Sequence, residues 1–241
     1  MQQTLDLTHT PGKSFDHFIC ESNLAAKHKL QFFLNSPDLN TCVIRGQQGH
    51  GKTHLLAASC TMLSERGEQA CFLSMKHPHL IDSLIQQSHF ASLICIDDAQ
   101  LAQQSPEHEL LLFRLFNLSE QYGSKLLWSI NHFQAQPFER KDLNSRFSSM
   151  LALDLCPYAL SEMQLILKHY IIQSQIVISD EACALLLKEY TRNLSALISK
   201  LKEIDAYASS HKKKITQKIC RDLIGSDLHQ LDASNENIEK P

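Results

Sequence analysis

The sequence has no large excess of either charge: 23 lysines and arginines stand against 26 aspartates and glutamates, a formal net charge of −3. That removes any global electrostatic reason to expect nucleic acid or a membrane surface as partner, so direct DNA contact would have to be local. No apolar run approaches membrane-spanning length, and the first residues carry no basic-then-apolar signal, so a soluble cytoplasmic protein is expected. Among eight cysteines (Cys20, Cys42, Cys60, Cys71, Cys95, Cys156, Cys183, Cys220) there is no Cys-x-x-Cys pair, and several sit in apolar runs. Reduced, buried thiols are therefore expected rather than zinc sites or disulfides. His77 and His79, on either side of Pro78, read as surface residues rather than metal ligands. No internal repeat is present. What remains is an ordinary globular composition over 241 residues, enough for one large domain or a large one plus a small one.

The chain is organised around Gly46-Gln47-Gln48-Gly49-His50-Gly51-Lys52-Thr53, which fits the phosphate-binding pattern of Gly, four residues, Gly-Lys-Ser/Thr. A strand-type run, Thr41 to Ile44, precedes it, and Leu55 to Ser64 reads as a helix behind it. In that context the loop's N–H groups and the helix N-terminus face a polyphosphate. Lys52 offers a point charge to the outer phosphates, and the Thr53 hydroxyl reaches a magnesium ion. Glycines suit the loop because it takes positive φ values and approaches its ligand closely. The plain alternative is a glycine turn.

From there strands and helices alternate. Strands are expected at Ala70 to Ser74, Ser92 to Ile96, Lys125 to Ile130 and Met150 to Leu155, and helices at Glu21 to Leu34, His79 to Gln87 and Glu107 to Tyr122. Uninterrupted apolar strands in an alternating pattern predict an α/β fold with a parallel five-stranded sheet covered on both faces and ligand at the strands' carboxyl ends. After Pro157 the periodicity is helical throughout, over Ser161 to Ser174, Asp180 to Tyr190, Leu194 to Ser209 and Thr216 to Ile224. The expected organisation is thus an arm over 1–12, a nucleotide-binding α/β domain over 13–157, a small all-helical domain over 158–225, and a disordered polar tail over 226–241.

Leu93-Ile94-Cys95-Ile96-Asp97-Asp98 is an apolar strand ending in two acids. Asp97 is the candidate to hold magnesium through water beside Thr53, and Asp98 the candidate to polarise an attacking water; a turn or helix cap is the bland reading of such an acid. Asn131 ends another strand, where it could orient that water or meet a γ-phosphate. Arg146, in Leu143-Asn144-Ser145-Arg146-Phe147, would ordinarily be a surface charge. In a protein that stacks on another nucleotide-binding subunit, it could instead enter the neighbour's site and stabilise charge on the transferred phosphate. The arm places Leu5 and Leu7 behind Gln2, either a frayed end or a short peptide for a partner's apolar pocket. The run His211-Lys212-Lys213-Lys214 reads as a solvated interhelix loop and a poor groove reader.

Together these residues resemble the AAA+ ATPases, and within them the DnaA-like replication initiators. The resemblance rests on Phe15-Asp16-His17-Phe18 with Ser22-Asn23, the phosphate loop followed by His54-Leu55-Leu56, Ile96-Asp97-Asp98-Ala99-Gln100, and Ser145-Arg146-Phe147. It implies an ADP or ATP site with Mg2+ formed by Gly46, Gly49, His50, Gly51, Lys52, Thr53 and His54, with Phe18 and Ile19 near the adenine. It also implies magnesium at Thr53 and Asp97, a first sensor at Asn131, and an arginine finger at Arg146. Initiators carry a helix-turn-helix domain after the lid and an added helix before the acidic strand end. Here a polar tail follows Ile224, and Met75 to Ala91 has room for one short helix. That pattern resembles the regulatory inactivators of DnaA, whose N-terminal peptide binds the sliding clamp, and Gln2, Leu5 and Leu7 match the clamp peptide.

The partners so implied are DnaA in its ATP form, the sliding clamp (the beta subunit of DNA polymerase III), and DNA indirectly through the clamp, with no membrane; a homo-oligomer is left open. Three positions depart from the families. Gln3 stands where the clamp peptide has leucine, Ser195 where the lid has its second sensor arginine, with Arg192 three residues earlier as a substitute, and Asn131 where initiators have an acid. The implied activity is stimulation of ATP hydrolysis on DnaA. The alternatives are a self-hydrolysing ATPase of the helicase-loader type, for which Asp98 would act in cis, and a binding adaptor without effect on hydrolysis. A small-molecule kinase has no use for the lid and the Ser-Arg-Phe element.

Overall fold

A computed structural model describes residues 13–87, 90–131, 133–134, 136–191, 193–211 and 213–224. The chain divides into two compact units, one up to Tyr158 and one from Ala159. The first contains β1 (Thr41–Arg45), β2 (Ala70–Ser74), β3 (Leu93–Asp97), β4 (Lys125–Ile130) and β5 (Leu151–Asp154). Around them lie α1 (Leu24–Asn35), α2 (Lys52–Glu65), α3 (Pro78–Ile85), α4 (Pro106–Tyr122) and α5 (Lys141–Ser149), with a 3-10 segment at Ala99–Gln104. The strands form one sheet in the order β2-β3-β4-β1-β5. Every pairing in it is parallel. β1 is therefore internal, and its carboxyl end opens between those of β4 and β5.

Side-chain alternation feeds two separate cores. Ile44, Cys95 and Leu127 point to one face, where Leu30 and Phe33 of α1 and Leu55 and Leu56 of α2 cover them. Val43, Ile94, Ile96, Leu126 and Trp128 point to the other, against Leu112, Leu115 and Phe116 of α4 and Leu143 and Phe147 of α5. This is the period-two division expected of a sheet covered on both faces. Local signals set the ends of α4: Ser105 accepts from Glu107 N at 3.2 Å, Pro106 opens the helix, and Gly123 closes it at φ 67°.

Two elements differ from the sequence expectation. The 3-10 segment and α5 were not foreseen, because six residues and nine residues give no apolar period long enough to read. The pair Leu143 and Phe147, buried four residues apart, is the signal α5 did carry. Further boundaries shift. α2 begins at Lys52 rather than Leu55, since the phosphate loop runs straight into helix from Gly51. α1 begins at Leu24 rather than Glu21, because the Asn23 side chain is turned inward and exchanges hydrogen bonds with the backbone of Cys156 at 3.0 and 2.7 Å.

The second unit contains α6 (Leu160–Gln173), α7 (Asp180–Glu189), α8 (Leu194–Ser210) and a helical segment over 217–224. Ser179 and Asn193 cap α7 and α8 through Ala182 N and Ala196 N. One isolated parallel bridge, Ile178 to Ile215, interrupts an otherwise helical unit where only helices were expected. None of the eight cysteines is in a disulfide, and all but Cys71 and Cys156 are buried. Among the described residues no helix is long and apolar enough to cross a membrane.

The connection from β4 into α5 depends on one buried acid. Glu109, 2 % exposed, accepts the backbone N–H groups of Glu139 and Arg140, both at 2.9 Å. Glu109→Gln leaves a single acceptor oxygen for two donors. We expect it to lower unfolding stability by ~1.5–3 kcal/mol, the range for a hydrogen bond to a charged group, as read from the urea midpoint.

Candidate functional site

The site grows from the carboxyl ends of the adjacent strands β1, β4 and β3. Gly46 N donates to Ile130 O at 3.2 Å and Leu155 N to Arg45 O at 2.8 Å, so the loop leaving β1 starts between the ends of β4 and β5. Gly49 and Gly51 hold φ of 89° and 90°. Glycine at position 51 answers a second demand: a Cβ there would run into the Tyr158 hydroxyl and come within 2.8 Å of the Phe18 ring. The loop then enters α2, whose first-turn N–H groups and dipole favour an anion.

Lys52 is buried and turned back over this loop, its Nζ donating to Gly46 O at 2.7 Å and Gln47 O at 2.8 Å. Burial lowers the pKa of this ammonium, with the charges of Asp97 and Asp98 opposing. Thr53 Oγ1 donates to Asp97 Oδ2 at 2.8 Å, while Ser129 Oγ donates to Asp97 Oδ1. Asp98 has left-handed backbone, φ 57° and ψ 41°, and its N–H donates to Ser129 Oγ at 3.0 Å. Its carboxylate meets Lys76 Nζ at 3.0 Å and Gln100 Nε2 at 3.1 Å. Gln100 Oε1 in turn accepts the Asn131 N–H at 3.1 Å.

Beside the loop lies the segment before α1. Phe18 is buried and its ring centroid is 5.7 Å from that of His54, while Ile19 is half-buried. His54 Nε2 lies 3.0 Å from Ser14 O. His50 Nδ1 lies 3.2 Å from Leu155 O, and Tyr158 Oη donates to His50 O at 2.9 Å. Ser129, Lys76 and Tyr158 are not among the residues to which the sequence points, and Gln100 enters there only as the end of the motif after β3. A hydroxyl at 129 inside an apolar strand was a readable signal; Lys76 carried none.

The structure thus brings together the loop residues, Lys52, Thr53, Asp97, Asp98, Asn131, Phe18 and His54. It does not bring Arg146 to them. That residue sits on α5 with its guanidinium 3.2 Å from Glu120 Oε1 and 3.4 Å from Asn117 Oδ1, over the Phe116 ring. Gln2, Leu5, Leu7 and Arg192 lie outside the described residues. Ser195 stands in the first turn of α8, which begins after its N-cap Asn193. No cluster of three His, Cys, Asp or Glu fit for a metal exists among the described residues. A divalent cation at Thr53 and Asp97 would therefore complete its oxygen shell from phosphate and water, which is how magnesium is ordinarily held. The hydroxyl and carboxylate already in contact fit that ion, and the glycine loop with Lys52 fits a polyphosphate.

This sheet order, with a glycine-rich loop after β1 and an acid at the end of β3, is the AAA+ P-loop fold. Domain III of the replication initiation protein DnaA from Thermotoga maritima superposes with a TM-score of 0.75 at 20 % identity, over 90 % of this chain and 97 % of that one. AMPPCP-bound DnaA from Aquifex aeolicus gives 0.63 at 21 % identity, over 80 % of this chain and 65 % of that one. The Thermotoga maritima RuvB Holliday junction branch migration motor also gives 0.63, at 19 % identity, over 89 % and 72 %. In sequence, the chromosomal replication initiator protein DnaA of Geotalea daltonii is 25 % identical over 230 residues, 89 % of this chain and 52 % of that protein. DnaA of Geotalea uraniireducens is 25 % identical over 240 residues, 92 % and 54 %. The chain spans about half the length of these relatives. No family model matches. The chain is thus weakly similar in sequence to DnaA and shares the fold of DnaA domain III.

Burial holds the His54 imidazole down to about 4, with the Ser14 carbonyl opposing. An unfolded histidine takes its proton near pH ~6.5. Between that pH and about 4 the unfolded chain binds more protons than the folded one, so stability falls as pH falls. His54→Gln should flatten this part of the profile, measured as urea midpoints from neutral pH down.

Proposed function

We propose that this chain is a regulator of chromosome replication initiation of the Hda type, binding adenine nucleotide and stimulating hydrolysis of the ATP held by DnaA. In this reading residues 13–157 form the nucleotide-binding domain, 158–225 the lid, 1–12 a clamp-binding arm and 226–241 a tail. The nucleotide is ADP in the working form, with Mg2+ at Thr53 and Asp97. Two DnaA structures that share this fold are AMPPCP complexes, one of them also with single-stranded DNA. Phosphate oxygens would take over the Lys52 ammonium from the carbonyls of Gly46 and Gln47. Phe18 and Ile19 would border the adenine.

The observation that carries the proposal is the station of Arg146. Its side chain is 41 % exposed and engaged with α4, so it is presented on the surface of the first unit, while Lys52 is turned over the loop carbonyls and Thr53 meets Asp97. A guanidinium so displayed suits a site on another subunit, where it would meet charge developing on the transferred phosphoryl group. Its ion pair with Glu120 joins two half-exposed groups and is worth no more than ~1 kcal/mol, which a partner's phosphate readily outcompetes. Gln2, Leu5 and Leu7 would tether the protein to the sliding clamp and raise its local concentration near replicated DNA.

The test is single-turnover hydrolysis of ATP preloaded on DnaA, with this protein added, with and without clamp loaded on DNA. We expect clamp-dependent acceleration that disappears when residues 1–7 are removed. Arg146→Ala should lower the acceleration by ~10³-fold or more, the scale of an arginine finger, with binding of a fluorescent ADP analogue unchanged. Equal stimulation by Arg146→Ala would sink the arginine assignment. No stimulation at saturating protein would leave a helicase-loader-type ATPase, identified by its own turnover, or a binding adaptor.

A further inference from the structure

A run of hydrogen bonds fastens the segment that leaves β5 to both sides of the nucleotide site. Leu155 N donates to Arg45 O at 2.8 Å, at the root of the phosphate loop. His50 Nδ1 carries a hydrogen here, because a carbonyl only accepts, and meets Leu155 O at 3.2 Å. Asn23, from the segment before α1, accepts the Cys156 N–H at 2.7 Å and donates to the Cys156 carbonyl at 3.0 Å. Two residues on, Tyr158 Oη donates to His50 O at 2.9 Å. The backbone that carries Tyr158 is thus fixed to the phosphate loop and to the segment of Phe18, while its side chain is only half-buried. Gly51 marks where that side chain lies. A Cβ there would meet the Tyr158 hydroxyl first and the Phe18 ring second, at 2.8 Å. The two aromatic side chains converge on the last glycine of the loop.

We propose that Tyr158 is a nucleotide-binding residue with two separable parts: its ring offers an aromatic face to the base beside Phe18 and Ile19, and its hydroxyl sets the phosphate loop through the His50 carbonyl. This rests on the nucleotide-site reading above. Every base has a π-face that gains by stacking on an aromatic ring, and a ring held on a firm backbone loses little freedom in taking one. The hydroxyl is a positioning group, acting through the loop. Glycines leave that loop a wide choice of backbone conformations, and a bond to the His50 carbonyl restricts the choice before any phosphate arrives. Burial lowers the pKa of His50, with the Leu155 carbonyl opposing and the Lys52 charge assisting. The imidazole is therefore neutral at pH 7 and adds no charge beside Lys52. Leucine at position 158 could supply neither part, and phenylalanine only the ring.

The experiment is calorimetric titration of the full chain, with Mg2+, by ADP and separately by inorganic pyrophosphate, which has phosphates and no base. Tyr158→Phe keeps the ring and should weaken both ligands alike, by ~5-fold, the scale of one hydrogen bond. Tyr158→Leu should weaken ADP by a further ~10-fold, the scale of one base on an aromatic ring, and leave pyrophosphate at the Tyr158→Phe value. Photolysis of bound 8-azido-ADP on the unaltered protein should label the peptide that contains Tyr158, a readout that needs no variant to fold. A loss in Tyr158→Leu that is the same for pyrophosphate as for ADP overturns the base contact, and so does label confined to other peptides. Unchanged pyrophosphate affinity in Tyr158→Phe overturns the part given to the hydroxyl. Failure of the unaltered protein to bind ADP overturns the assignment together with the nucleotide reading beneath it.

Discussion

The carboxylate of Asp97 is the point on which the site depends. It accepts from Thr53 on α2 and from Ser129 on β4, while it ends β3 itself. One side chain thus ties the helix behind the phosphate loop to two neighbouring strands. Taken alone, buried charge is costly unless it is paired and hydrogen-bonded. Here the two hydroxyls supply the bonds, and the carboxylate charge in turn favours the protonated form of nearby Lys52. The same constraint orders Asp98, because Ser129 serves both acids.

Around that point the molecule separates its charges by use. Lys52 faces inward over the loop carbonyls, and Lys76 meets the second acid from the rim. Arg146 stands elsewhere, at the end of a short helix whose apolar residues Leu143 and Phe147 are locked into the Trp128 cluster. The backbone under Arg146 is therefore firm while its guanidinium is held only by partly exposed partners. Firm placement with weak engagement is what a residue needs if it is to be offered to another molecule.

Much of the fold and part of the site were legible in order along the chain. The glycine loop, the strand ending in Asp97 and Asp98, and the strand ending in Asn131 are local patterns, and alternation of apolar strands with helices predicts a covered parallel sheet. The 3-10 segment and α5 escaped because short polar elements have no period. Glu109 and Asn144 illustrate another kind of silence. Each is buried, and each serves backbone groups of the β4–α5 connection, Glu109 at residues 139 and 140 and Asn144 at Phe138. Neither residue type announces burial in a sequence.

By itself, then, the sequence determined the strand-and-helix alternation, the phosphate loop and the acids that follow β3, since each is written in spacing over a few residues. Only the tertiary structure decided what surrounds those acids and where Arg146 lies. Ser129 meets Asp97 across 32 positions and Gln100 meets Asn131 across 31. Lys76 reaches Asp98 only because β2 pairs with β3 in a register that sets Ser74 against Asp97. Such meetings depend on strand order and register, which are settled by packing of whole faces, not by any local run of residues.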